Sequence, residues 1–181
     1  NILFTVGGDG TQRGGNDLFQ EARRRGHALS VVGVPKTIDN DVGFVSRTFG
    51  FFSAVEEAAR VLDCAHTEAC SIPGGIGLVK LMGRHAGFVT AGAVVASQDV
   101  NFALIPEVPF KLDSFLAALK KRMQTKSHAV IAVAEGAGQD LLAAAAGECD
   151  ASGNRKLADI GSFLKEKIEA FFKAEGLPIV I

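Results

Sequence analysis

The stretch Leu29-Ser30-Val31-Val32-Gly33-Val34-Pro35-Lys36-Thr37-Ile38-Asp39-Asn40-Asp41 decides how this chain is read. Its first six residues form an apolar run of strand length. The seven that follow crowd an ammonium, a hydroxyl and two carboxylates into a short loop. Ligands of parallel α/β sheets bind beyond the carboxyl ends of the strands, which makes this loop a candidate site. Lys36 suits a phosphate, while Asp39 and Asp41 suit a cation or a proton, and Pro35 fixes one φ at the strand exit. The same residues favour plain turns through local hydrogen bonding, so the loop alone leaves both readings open.

The partner that tips the balance lies upstream. Ile2-Leu3-Phe4-Thr5-Val6 is a second strand-like run, and it leads into Gly7-Gly8-Asp9-Gly10-Thr11. Glycines there allow a sharp turn and close approach of a ligand to backbone amides, and Asp9 is placed to share a divalent cation with a phosphate. Asp17 to Arg25 is expected to be a helix ending near Gly26, with Arg23 to Arg25 a solvated helix end. Strand, glycine turn, helix and strand make a βαβ unit whose right-handed crossover sets Asp9 and Asp39 at one sheet edge on neighbouring strands. A phosphate-gripping turn beside an acidic loop is what metal-assisted phosphoryl transfer requires.

The pattern continues downstream. Thr48 to about Ala69 has helical apolar spacing, and Phe49, Phe51 and Phe52 are expected in the core. Strands are expected at Ile76–Leu81, Phe102–Ile105 and Ala129–Ala134, with helices over Phe88–Ser97 and Leu112–Lys126. Leu141 to Ala146 is helix-prone, Gly147 to Arg155 a polar turn, and Ala158 to Ala174 a helix feeding a final strand at Leu177–Ile181. Each of the five main strands ends in a charged loop residue (Asp9, Asp39, Arg84, Glu107, Glu135), which implies a single crevice along one sheet edge. Arg84 suits a phosphate or a developing transition-state charge. His27, His66, His85 and His128 show no ligand spacing, and Cys64, Cys70 and Cys149 no metal-ligand pattern.

Length and composition bound the function. The 181 residues are 48% apolar and 22% charged with a net charge of -1, which offers no field for nucleic acid or an anionic membrane. No apolar run is long enough to span a bilayer, and three cysteines, an odd number, suit a reducing compartment. The chain opens without Met on a strand and closes on one, so both ends are expected to be truncated.

Taken in order, Gly7-Gly8-Asp9-Gly10-Thr11, Pro35 through Asp41, Thr48-Phe49-Gly50-Phe51, Lys80-Leu81-Met82-Gly83-Arg84, Pro106-Glu107 and Ala134-Glu135-Gly136 resemble the 6-phosphofructokinases. The resemblance implies an α/β, Rossmann-like three-layer sandwich with a mostly parallel sheet. Residues 1–181 would be a partial catalytic domain of a larger two-domain enzyme, inactive alone. It implies transfer of the ATP γ-phosphoryl group to the 1-hydroxyl of fructose 6-phosphate in glycolysis, with Mg²⁺ and in the cytoplasm unless a lost leader directs it to an organelle. A dimer or tetramer under allosteric control is also implied. The catalytic residues would be Asp39 as general base, Thr37 and Arg84. Gly8, Asp9, Gly10, Thr11 and Lys36 would hold the nucleotide phosphates, with Asp9 on the metal. Thr37, Ile38, Asp39, Met82, Gly83, Arg84 and Glu135 would contact the sugar phosphate, and Glu107 matches an effector position outside the active site.

Two positions bear on the donor. Pyrophosphate-using relatives carry Asp where Gly10 stands and Lys where Lys36 stands. An Asp at position 10 would repel a nucleotide α-phosphate. The combination here resembles the ATP-dependent enzymes of plants and trypanosomatids. The chain departs from bacterial members at Gly75, where they place a sugar-phosphate arginine reaching a neighbouring subunit. A pyrophosphate-dependent enzyme and a non-catalytic regulatory subunit of the same fold are the alternatives.

Overall fold

Strand β2 (Ser30–Thr37) lies between two parallel neighbours, and its ladder changes partner after Pro35. Its first part pairs with β1 (Ile2–Gly7), from Ile2 with Ser30 to Gly7 with Pro35. Its last two residues pair with the two-residue β3 (Phe49–Gly50), as Lys36 with Phe49 and Thr37 with Gly50. The strand therefore runs on through Pro35, where the loop was expected to begin. Proline is tolerated there because it stands at the changeover, the point where a missing N–H disturbs the ladders least. The computed structural model describes residues 1–142 and 157–181. The expected helix beyond Leu142 and the polar turn up to Arg155 lie outside them.

Helix α1 (Asp9–Arg24) begins eight residues before the start expected from periodicity, with Gly8 as its cap. Three glycines in its first two turns weaken the helical pattern in the sequence. Gly15 is buried, and a Cβ on it would stand 2.9 Å from Thr5 Oγ1, so the helix axis comes close to the sheet. Helix α1 covers only the Thr5 and Val31 face of β1 and β2. Ile2, Phe4 and Val6 alternate onto the other face and are 68%, 64% and 57% exposed. Phe49 and Phe52 are also exposed, against the expectation that they are core; Phe52 instead carries the Arg47 guanidinium 5.0 Å above its ring.

These elements belong to a compact unit, Asn1–Ala54; a second comprises Val55–Ile181. The second holds a separate parallel sheet, ordered β4 (Gly75–Leu81), β6 (His128–Ala134) and β5 (Phe102–Leu104). The strands therefore pair as two three-stranded sheets, where the sequence suggested one. β6 is central, and Ala129 through Ala134 are wholly buried, as a parallel strand covered on both faces must be. On one face Ala129, Ile131 and Val133 join Phe115, Leu116 and Leu119 of α4 (Leu112–Lys126) and Ile160, Leu164, Ile168 and Phe172 of α5 (Ile160–Ala174). On the other, α2 (Phe51–Ser71) presses on β4 so closely that a Cβ on Gly75 would overlap the Ala69 carbonyl oxygen. A side chain at position 75 would require α2 to move off β4.

Helices α3 (Phe88–Ser97) and α4 match their expected bounds. The expected last strand contracts to a bridge between Gly75 and Val180. Among the described residues no helix is long and apolar enough to cross a membrane.

Candidate active site

In the first unit the βαβ geometry brings Gly8 and Thr37 together: a Cβ on Gly8 would stand 3.4 Å from the Thr37 Cβ. Asp9 follows Gly8 as the first residue of α1, and Asp39 lies two residues past Thr37, so both acidic loops leave the same edge of adjacent parallel strands. The first intrahelical bond is donated by Gln12 N–H to Gly8 O at 3.0 Å. The amides of Asp9, Gly10 and Thr11 precede it, at the end of a helix that attracts anions. A Cβ on Gly10 would meet no protein atom within 4 Å. The fold therefore does not demand glycine there, although glycine costs a helix about 1 kcal/mol relative to alanine.

Asp9 Oδ2 pairs with Arg13 at 2.6 Å on the helix surface, an exposed contact worth only a few tenths of a kcal/mol. A ligand can displace it. A lone carboxylate at a helix start fits Mg²⁺, a hard cation that uses one or two carboxylates and takes its other oxygens from water and phosphate. Thr11 turns its hydroxyl back over Gly7. Lys36 is exposed, and the alternation of β2 sets it on the face opposite Thr37 and Gly8.

The Asp39 loop is tied by side chains. The Thr37 hydroxyl donates to Asp39 Oδ2 at 3.3 Å and accepts from Asp39 N–H at 3.2 Å. Asn40 takes a left-handed φ of 55°. Its Oδ1 accepts from Thr48 N–H at 2.9 Å and from the Thr48 hydroxyl at 3.2 Å, and that hydroxyl also lies 2.8 Å from the Thr37 carbonyl oxygen as donor. Thr48 is 4% exposed, so its end of the network is shielded from water. Gln12 adds a clamp, its Nε2 donating to Gly7 O at 2.9 Å and Val34 O at 3.0 Å across the strand ends. Gln12, Asn40 and Thr48 thus position the site without being among the residues expected in it. Asn40 had a sequence signal, as an Asn flanked by two acids in a loop; Gln12, inside a helix, had none.

In the second unit Met82, Gly83 and Arg84 follow β4, and Glu135 follows its neighbour β6. Main-chain bonds join the two loops: Glu135 N–H to Leu81 O at 2.9 Å and Gly136 N–H to Gly83 O at 3.0 Å. Gly83 has a φ of 140°, and a Cβ on Gly136 would overlap the Arg84 carbonyl oxygen. Met82 is exposed, while Arg84 and Glu135 are half-buried. Lys80, one turn of the pleat earlier, is committed elsewhere. Its ammonium sits 2.7 Å from Asp159 Oδ1 and, with the Ser162 hydroxyl, holds that carboxyl down at about 2. Glu107 accepts from Gly87 N–H at 2.7 Å at the start of α3, which gives it a structural task.

Residues 1–176 match the phosphofructokinase family model. The chain belongs to the phosphofructokinase family. It is 54% identical over 174 residues to an ATP-dependent 6-phosphofructokinase of Trypanosoma brucei brucei, covering 96% of this chain and 36% of that protein. It is 48% identical over 179 residues to ATP-dependent 6-phosphofructokinase 1 of Arabidopsis thaliana, covering 95% and 38%. Among solved structures it resembles a pyrophosphate-dependent phosphofructokinase from Marinobacter aquaeolei, with a TM-score of 0.75, 25% identity, and coverage of 98% of this chain and 42% of that one. The chain therefore spans well under half the length of these phosphofructokinases. The α/β fold with parallel sheets is that of the family.

Proposed function

We propose that the protein containing this chain is an ATP-dependent 6-phosphofructokinase, phosphorylating fructose 6-phosphate to fructose 1,6-bisphosphate in glycolysis. The observation that carries the reading is the adjacency of the Gly8-Asp9-Gly10 helix start and the tied Asp39 loop on neighbouring strands. The helix amides receive the donor phosphates, and Gly10 leaves room for a nucleotide. Asp39 takes the proton of the sugar 1-hydroxyl as its oxygen attacks the γ-phosphorus, and the bond from the γ-phosphorus to the β,γ-bridging oxygen breaks to release ADP. Thr37 orients the Asp39 carboxylate. Asp9 would hold Mg²⁺, whose charge offsets that of the phosphates. Met82, Gly83, Arg84 and Glu135 are assigned to the sugar phosphate, with Arg84 also countering charge on the transferring group. The enzyme is taken to be a cytoplasmic homo-oligomer, and residues 1–181 a partial catalytic domain without activity alone.

Lys36 favours a second reading, in which pyrophosphate is the donor. Full-length protein assayed with fructose 6-phosphate, Mg²⁺ and each donor in turn decides between them. Turnover with ATP is expected, with Gly10→Asp suppressing it. Asp39→Ala should lower kcat by about 10³ while leaving substrate binding within a few-fold. Turnover with pyrophosphate alone would reverse the donor assignment, and none with either would leave a regulatory subunit. Activity of Asp39→Ala near the parent level would remove the base assignment.

A further inference from the structure

At the amino end of β6, opposite the end that leads to Glu135, three soft or borderline ligands converge. His66 and Cys70 stand four residues apart on α2 and so share one face of the helix. His128 is the first residue of β6. One ligand atom from each of the three lies within 4.8 Å of the others. The imidazole centroids are 5.5 Å apart.

The surroundings are those of a coordination site. Asp99 Oδ2 lies 3.1 Å from His66 Nδ1, the carboxylate behind an imidazole that orients most metal-binding histidines and raises their basicity. Arg122 donates from Nε to the His128 carbonyl oxygen at 3.1 Å and sets Nη2 3.4 Å from His128 Nε2, which fixes that ring. These contacts occupy Nδ1 of His66 and Nε2 of His128, which makes the other ring nitrogens the candidate ligand atoms. Both histidines are half-buried, whereas Cys70 is open to solvent and gives a cation a way in.

We propose that His66, Cys70 and His128 form a binding site for Zn²⁺ or a cation of the same class, with water or a fourth ligand completing it. Two imidazoles and one thiolate are the donor set that zinc prefers over the hard cations. Zinc bonds of about 2.0–2.3 Å place tetrahedral ligands about 3.5 Å apart, so small side-chain rotations close the cluster. Cys70 gives up its thiol proton to solvent on binding. The cation ties the end of α2 to the start of β6 and, through Asp99, to the segment after α3. The seven residues from His128 to Glu135 separate it from the sugar-phosphate loop by about 23 Å.

Full-length protein stripped with chelator and titrated with Co²⁺ as a spectroscopic stand-in tests the site. One equivalent should raise a thiolate-to-cobalt charge-transfer band that Zn²⁺ bleaches and Cys70→Ser abolishes. Asp99→Asn should weaken Zn²⁺ binding about 10- to 100-fold with the band retained at saturation. Zn²⁺ should also raise the melting temperature of the parent and not that of Cys70→Ser. A band that persists in Cys70→Ser, or the lack of any band in a folded parent, overturns the proposal.

Discussion

The two site-bearing regions are held by different means. In the first unit the Asp39 loop hangs on side chains, the Thr37 and Thr48 hydroxyls and the Asn40 amide, while Gln12 clamps the strands behind it. In the second, the loops after β4 and β6 are joined by main-chain bonds at glycines where a side chain would collide. Side-chain ties can be released one at a time while the strand stays paired. Main-chain ties just beyond the strand ends continue the ladder of β4 and β6, and β6 is fully buried, so they open less readily. The loop assigned to the acceptor hydroxyl is thus the more adjustable of the two, and the loops assigned to the sugar phosphate are the more constrained.

The contrast is most sharply broken at Gly136. Gly136→Ala forces a Cβ into the Arg84 carbonyl oxygen and should cost about 3 kcal/mol, read as a fall in the denaturant midpoint. A midpoint within the error of the parent's would mean that these loops yield. Next comes Asn40→Ala, which removes three side-chain hydrogen bonds and puts alanine at a φ of 55°, at about 2 kcal/mol. Asn40→Gly restores the backbone freedom without the bonds, so the difference between the two variants separates strain from lost hydrogen bonding. Both should lower kcat with little change in the affinity for the sugar phosphate, because the disturbance falls on Asp39.

A smaller effect is expected at Asp159, which caps α5 by accepting from Gly161 N–H at 3.1 Å. Asp159→Ala should cost about 1 kcal/mol, and Asp159→Asn less, since the amide oxygen keeps the cap. The smallest is its titration. The folded carboxyl sits at about 2 against an ordinary 3.8, so the unfolded chain takes up the proton first as pH falls. This stabilisation is complete above about pH 4 and is lost between about pH 4 and 2. With the Asp159 side chain 52% exposed, solvent screening holds it below about 1 kcal/mol. Lys80→Met should flatten this part of an acid-unfolding curve; a curve unchanged in shape would assign the acid sensitivity to other carboxylates.

The amino-acid sequence by itself determined the periodic elements and their chemistry. α3 and α4 were legible to the residue because their apolar spacing is uninterrupted, and β6 to within one residue, since its apolar run of six is preceded by the strand residue His128. The charged strand ends marked the acidic and basic loops, and a right-handed crossover was enough to place the Asp9 and Asp39 loops at the same end of neighbouring strands. Where glycine or proline obscured the period, local reading failed: α1 began eight residues early and β2 ran through Pro35. Only the tertiary structure decided that the strands divide into two sheets, since hydrogen-bond partners are chosen by the whole chain and not by any strand's own composition. It alone brought Thr48 to Asn40 and His128 to His66 and Cys70, across 8 and 58 or more positions, distances over which no spacing rule operates. Periodicity is written in neighbours along the chain; a site is made by residues that only folding makes neighbours.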